Sequence, residues 1–76
     1  MKSFVLVSLL SCDEKNVLEE LKMLEEVEKA YVLFGEWDIL VELNIGEPER
    51  LGAFVMDKIR SREDVKLTSS LVVAGR

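Results

Sequence analysis

No histidine and a single cysteine, Cys12, occur in this chain of 76 residues, and that inventory already limits the chemistry open to it. Without histidine there is no imidazole metal ligand, no Ser-His or Cys-His nucleophile and no side chain that titrates unaided near neutral pH. A lone cysteine excludes an internal disulfide and any CxxC metal or redox motif. Carboxylates are plentiful, but Glu19-Glu20 and Glu25-Glu26 are adjacent pairs, and helical neighbours in sequence point to different sides, so they form a solvated face rather than a catalytic dyad. No catalytic residue, metal or cofactor is expected. The best candidates for a site are Gly35, Glu36, Trp37 and Asp38, against the alternative that Gly35 is conformational, Asp38 a turn cap and Trp37 core against Phe34. Glu36 and Asp38 are acceptors for a cationic group, and the Gly35 backbone offers an N–H to an anionic one.

Those four residues need elements to position them, and the flanking sequence supplies a hairpin. Apolar runs over residues 30–34 and 37–45 leave Gly35-Glu36 as a two-residue connection. Glycine at its first position suits a type II′ turn, where φ is positive. With Phe34 opposite Trp37, the register continues as Leu33 with Asp38, Val32 with Ile39, Tyr31 with Leu40, Ala30 with Val41 and Lys29 with Glu42. The last pair sets opposite charges across the ladder, a contact that favours this alignment. Alternation makes one face apolar (Phe34, Val32, Ala30, Trp37, Ile39, Val41) and the other mixed (Leu33, Tyr31, Asp38, Leu40, Glu42).

Residues 4–10 read as a buried strand. Ser11-Cys12-Asp13-Glu14 matches the S-x-x-E capping box, with Asp13 as an alternative cap, and Val17, Leu18, Leu21 and Leu24 then form a single helical stripe. Gly46-Glu47-Pro48 marks a second helix, with Pro48 at its first position. Leu51, Phe54, Val55, Lys58 and Ile59 are its stripe, and the basic cluster Lys58, Arg60 and Arg62 at its end suits compensation of the dipole, with an anion site as the alternative. Residues 65–73 alternate as a fourth strand. Leu24-Glu25-Glu26-Val27 and Arg62-Glu63-Asp64-Val65 echo each other, both leading from a helix into a strand.

The order is therefore βαββαβ, an α+β ferredoxin-like fold with a four-stranded antiparallel sheet and two helices on one face, in a single domain over residues 1–76. The other face is left bare, with Tyr31, Leu33 and Leu40 beside Asp38, Glu42, Thr68 and Ser70. A contiguous apolar patch of this kind marks an interaction surface. Tyr31, Leu33 and Leu40 are thus expected at a sheet-to-sheet homodimer interface, closed by a two-fold axis. So small a domain gains from association, because folding alone removes only roughly 60% of its unfolded surface.

The net charge of −5 argues against direct nucleic-acid binding, which draws on clustered Lys and Arg. Residues 1–10 are too short an apolar run to span a bilayer and lack the marks of a signal peptide. The expectation is a cytoplasmic protein with no membrane contact.

Taken together, the element order, residues 31–43 (YVLFGEWDILVEL) and residues 68–73 (TSSLVV) resemble the RAM domain, the ligand-binding C-terminal domain of the leucine-responsive regulatory protein/asparagine regulator (Lrp/AsnC) family. The resemblance covers almost the whole chain, and its most specific part is the Gly-Glu-aromatic-Asp turn followed by an apolar strand. Glu25-Glu26 and Glu63-Asp64 stand where Pro-Gly is usual, and Trp37 stands where Tyr is common. Full-length members carry an N-terminal helix-turn-helix domain, so this chain looks like a stand-alone RAM protein. The resemblance implies a dimeric αβ-barrel, assembly into rings such as octamers or decamers, and an amino-acid effector bound between dimers near the hairpin. By position it carries ligand binding onto Gly35, Glu36, Trp37 and Asp38 and onto Thr68, Ser69 and Ser70, whose hydroxyls suit an α-carboxylate.

The function this implies is a non-enzymatic, oligomerising amino-acid sensor in transcription regulation of amino-acid metabolism, without DNA binding of its own, acting on a full-length Lrp/AsnC-type regulator. The alternatives are a purely structural oligomerisation module or a small dimeric ferredoxin-like enzyme.

Overall fold

Burial alternates along the first strand, β1 (Ser3–Leu9), with Ser3, Val5, Val7 and Leu9 buried and Phe4, Leu6 and Ser8 half-buried. That single alternation decides which face of the sheet receives the helices. The structure, a computed structural model, describes residues 2–74. After β1 come α1 (Glu14–Lys22), β2 (Val27–Val32), β3 (Ile39–Leu43), α2 (Pro48–Phe54) and β4 (Val65–Val72), the order expected from the sequence. The four strands make one antiparallel sheet, ordered β2-β3-β1-β4.

Val5, Val7, Leu9, Ile39, Val41 and Leu43 from the sheet share one core with Val17, Leu21, Leu51, Phe54, Val55 and Ile59 from the helical layer. Both helices therefore cover the same face. In α1 the stripe is as expected, with Val17 and Leu21 buried and Leu18 and Leu24 packed at the margin. The capping box does not form. Asp13 is the N-cap and makes no side-chain capping bond; Ser11 lies two residues before that cap, too far to serve the first turn. Pro48 begins α2 as the sequence indicates.

The second helix departs from a uniform stripe. Beyond Phe54 the chain widens into a π-helical turn over Val55–Ile59, closed by the Arg60 N–H donating to the Val55 C=O at 2.7 Å, five residues back. The wider turn keeps both Val55 and Ile59 in the core and turns Lys58, expected on the stripe, out to solvent.

The hairpin register holds at every paired position from Lys29–Glu42 to Val32–Ile39, but the turn is not the expected two-residue connection. The last backbone bond runs from the Leu33 N–H to the Asp38 C=O, 2.9 Å, so Phe34, Gly35, Glu36 and Trp37 form a four-residue loop. Phe34 does not sit against Trp37; it projects fully into solvent while Trp37 is half-buried. Asp38 is the cause: its N–H donates to the Val7 C=O at 2.9 Å and its Oδ2 accepts from the Leu9 N–H at 2.7 Å. Residue 38 is thereby drawn onto β1, and the loop opens ahead of it.

The echo between the two βαβ halves extends to individual bonds. Val27 N–H donates to Leu24 C=O, and Val65 N–H to Arg62 C=O. Asn44, just past β3, donates to Glu26 C=O, and Leu10, just past β1, donates to Asp64 C=O. Leu24 thus corresponds to Arg62, and Glu26 to Asp64.

Among the described residues nothing covers the opposite face of the sheet. Pairing sets Tyr31, Leu40, Leu6 and Ser69 in one row across it, and Lys29, Glu42, Phe4 and Leu71 in the next. Tyr31, Leu67 and Leu71 are exposed there. Thr68 and Ser70, expected on this face, are on the other one, because they pair with Val7 and Val5, whose side chains point into the core. Glu42 is nonetheless buried. It accepts from Lys2 Nζ at 2.8 Å, and this hydrogen bond holds its carboxyl below the usual glutamate range.

Candidate functional site

Asp38 is the anchor of the candidate site. Its peptide N–H and Oδ2 are engaged by β1 and its C=O by Leu33, just past β2, so its position is fixed by three hydrogen bonds from two directions. The bond from the Leu9 N–H serves a donor beside the bulge that interrupts pairing between Ser8 and Leu9, where the ladder to β4 loses regularity. A buried peptide N–H left unpaired there would cost about 1–3 kcal/mol. The carboxylate that sequence reading assigned to a ligand is therefore first a structural acceptor. Among the described residues only its Oδ2 is engaged.

Gly35 explains the loop's conformation. Its φ of +147° is a value side-chain-bearing residues rarely adopt, although a Cβ there would meet nothing within 4 Å. Conformation, not space, demands the glycine. Phe34, Gly35 and Glu36 are all exposed, so in one subunit the loop stands open to solvent.

The two halves of the expected site do not meet within one subunit. Thr68 pairs with Val7 on one side of β1, and Ile39 pairs with the same Val7 on the other, which sets Thr68 two strands, about 10 Å, from the start of β3. Of the three hydroxyl residues only Ser69 lies on the open face, in the row with Leu6, Leu40 and Tyr31. Tyr31, Leu33 and Leu40, expected at an interface, lie on that uncovered face or at its margin, exposed or half-buried.

Sequence reading missed one constellation. Arg62, assigned to helix-dipole compensation, instead reaches Asp64 with two bonds, Nε to Oδ1 at 3.0 Å and Nη2 to Oδ2 at 2.9 Å, and Glu20 on α1 at 2.8 Å. These bonds raise the arginine's pKa and lower that of Asp64. The Arg-x-Asp spacing was the available signal, since a planar guanidinium matches a carboxylate with two parallel bonds.

Comparison with known proteins places this geometry. Residues 2–76 match the family model described as the Lrp/AsnC ligand binding domain. An uncharacterised helix-turn-helix-type transcriptional regulator of Pyrococcus furiosus is 30% identical over 59 residues, covering 78% of this chain and 39% of its own length. The crystal structure of FFRP-DM1 superposes with a TM-score of 0.86 at 30% identity, covering 95% of this chain and 96% of that one. Escherichia coli AsnC gives a TM-score of 0.88 at 25% identity over 99% of this chain and 51% of its own. The chain thus spans well under half the length of the curated regulators it matches. No helix among the described residues is long and apolar enough to cross a membrane. With the match extending through both βαβ halves and the anchored hairpin loop, the chain belongs to the Lrp/AsnC family and corresponds to its ligand-binding domain.

Proposed function

We propose that this chain is a non-enzymatic sensing domain that binds an amino-acid effector between subunits and modulates a full-length Lrp/AsnC-type regulator, with no DNA contact of its own, in the cytoplasm. The observation that carries the reading is the hairpin loop: Asp38 clamps its base to β1, while Gly35 and Glu36 stand exposed at its tip. A rigid base with an unenclosed tip suits a half-site that a second subunit completes. The α-ammonium group would meet Glu36 or the remaining Asp38 oxygen, and the α-carboxylate the Gly35 backbone and the hydroxyls of Thr68, Ser69 or Ser70, contributed in part by another subunit. Trp37, half-buried beside Asp38, would bound the space for the effector side chain. The uncovered sheet face, with Tyr31, Leu33 and Leu40, supports a homodimer, and dimers would join into a ring such as an octamer or decamer.

Calorimetric titration with the twenty amino acids tests the reading. At least one gives a saturable heat, Glu36→Gln weakens it, and sedimentation shows the same oligomer with or without Glu36→Gln. Silence across the panel removes the sensing role. The second reading, a purely structural oligomerisation module, is favoured by one observation: Thr68 and Ser70 lie on the helix side of the sheet, apart from the loop carboxylates. That reading requires the oligomer and no ligand heat.

A further inference from the structure

The equivalence of the two halves sets two depressions side by side as an internal comparison. The offset that carries Leu24 onto Arg62 and Glu26 onto Asp64 also carries Lys22, Val27, Glu28, Lys29 and Ala30 onto Arg60, Val65, Lys66, Leu67 and Thr68. Each set lines a depression where the end of a helix meets the start of an edge strand, α1 and β2 in one half, the π-helical turn and β4 in the other. The setting is repeated and the charges are not. In the first depression Lys22 and Lys29 share the lining with the carboxylate of Glu28, and Ala30 is apolar. In the second, Lys66 replaces that carboxylate and joins Arg60, while Thr68 brings a hydroxyl where Ala30 has none.

No carboxylate lines the second depression, and among the described residues no ion pair or side-chain hydrogen bond engages Arg60, Lys66 or Thr68. The acids nearest in sequence are placed elsewhere: Asp64 is held by Arg62, and Glu63 lines a separate depression with that pair. Two like charges facing one space repel, and an anion that enters it relieves the repulsion. The chain as a whole carries a net charge of −5, so attraction for an anion is confined to this spot. Guanidinium, ammonium and hydroxyl groups together supply donors from three sides, which suits an oxyanion with acceptors all round. We infer that this depression binds a phosphate group, free or carried by a small monoester whose carbons lie on Val65 and Leu67. A charge of about −1.5 to −2 at neutral pH matches the two cations. A volume of about 230 Å³ is below that of ordinary ligand pockets and leaves no room for a nucleotide. Of the basic run at the end of the second helix, Arg60 thus serves an anion while Arg62 is spent on Asp64.

The site uses neither loop carboxylate, so its test is independent of amino-acid sensing, and Thr68 is left intact in every variant. Isotope-labelled full chain is titrated with inorganic phosphate and, separately, with methyl phosphate, to millimolar concentration at constant ionic strength, while amide resonances are followed. The expected result is saturable shifts at Arg60 and at residues 65–68, with the tighter of the two probes naming the source of the group. The apparent Kd weakens about tenfold in Arg60→Gln and in Lys66→Gln, as losing a charge-assisted hydrogen bond predicts. Lys66→Glu, which copies the charge found in the other half, abolishes the shifts, and Lys22→Gln leaves them unchanged. Acetate at the same ionic strength produces none. The inference is overturned if neither phosphate probe gives saturable shifts at these residues, if Lys66→Glu binds as wild type does, or if acetate binds as tightly as phosphate.

Discussion

Asp38 shows how one residue can be assigned correctly to a place and incompletely to a role. Its sequence neighbours, Gly35 and Trp37, mark a loop, but the bond from the Leu9 N–H joins positions 29 residues apart in the chain, which no local pattern reveals. Removing that acceptor therefore acts on folding before it acts on binding. Asp38→Ala is expected to lower stability by about 1–3 kcal/mol in urea unfolding, the cost of an orphaned N–H, whereas Asp38→Asn, which keeps an oxygen acceptor, loses less than half of that. Equal losses in the two variants would show that the Leu9 bond contributes nothing. Gly35→Val in the same measurement costs about 1–3 kcal/mol through backbone strain, even though its Cβ has free space.

At the scale of elements, the two βαβ halves are tied by equivalent backbone bonds and by different side chains. Leu24 packs against the core at one junction; Arg62 binds Asp64 and Glu20 at the other. Arg62→Ala is expected to cost about 1 kcal/mol, near the upper end for a partly exposed pair, because the bridge to Asp64 is bidentate. Its pH dependence has a definite sign. The folded-state pKa of Asp64 is lowered, chiefly by the hydrogen bond from Arg62. The associated stability is present above the ordinary aspartate pKa and lost as pH falls through the lowered folded value. Thermal melts should show wild type and Arg62→Ala converging in acid and differing most near neutrality. A difference that persists unchanged into strong acid would place the effect elsewhere.

In the molecule taken as one body, the decisive feature is a sheet whose helices, among the described residues, lie on one side. Tyr31, Leu67 and Leu71 are exposed and Phe4, Leu6 and Leu40 half-buried on its other side. At about 25 cal/mol per Å², covering a few hundred Å² of such surface is worth several kcal/mol, comparable to the entire stability of a small domain. Leu40→Asp, at the middle of the row that also holds Tyr31 and Leu6, is expected to shift sedimentation at micromolar concentration from dimer or higher to monomer. An unchanged distribution would mean that the face is not the contact. The buried Glu42 with its Lys2 partner adds a polar pair to that face beside Lys29 and Ser69.

Local pattern was enough for the element order, the hairpin register from Lys29–Glu42 to Val32–Ile39, the helical stripe of α1 and the uncovered face. Each follows from a local period or a turn residue, and periodicity survives folding because burial of an apolar stripe outweighs any competing local preference. The rest came from packing between distant segments: the four-residue loop, the structural use of Asp38, the π-helical turn beside Lys58, the Arg62 bridge and the side on which Thr68 and Ser70 fall. All of these depend on bonds or burial between segments distant in sequence, and a polar group's choice of partner is made only when packing brings the candidates within hydrogen-bond range.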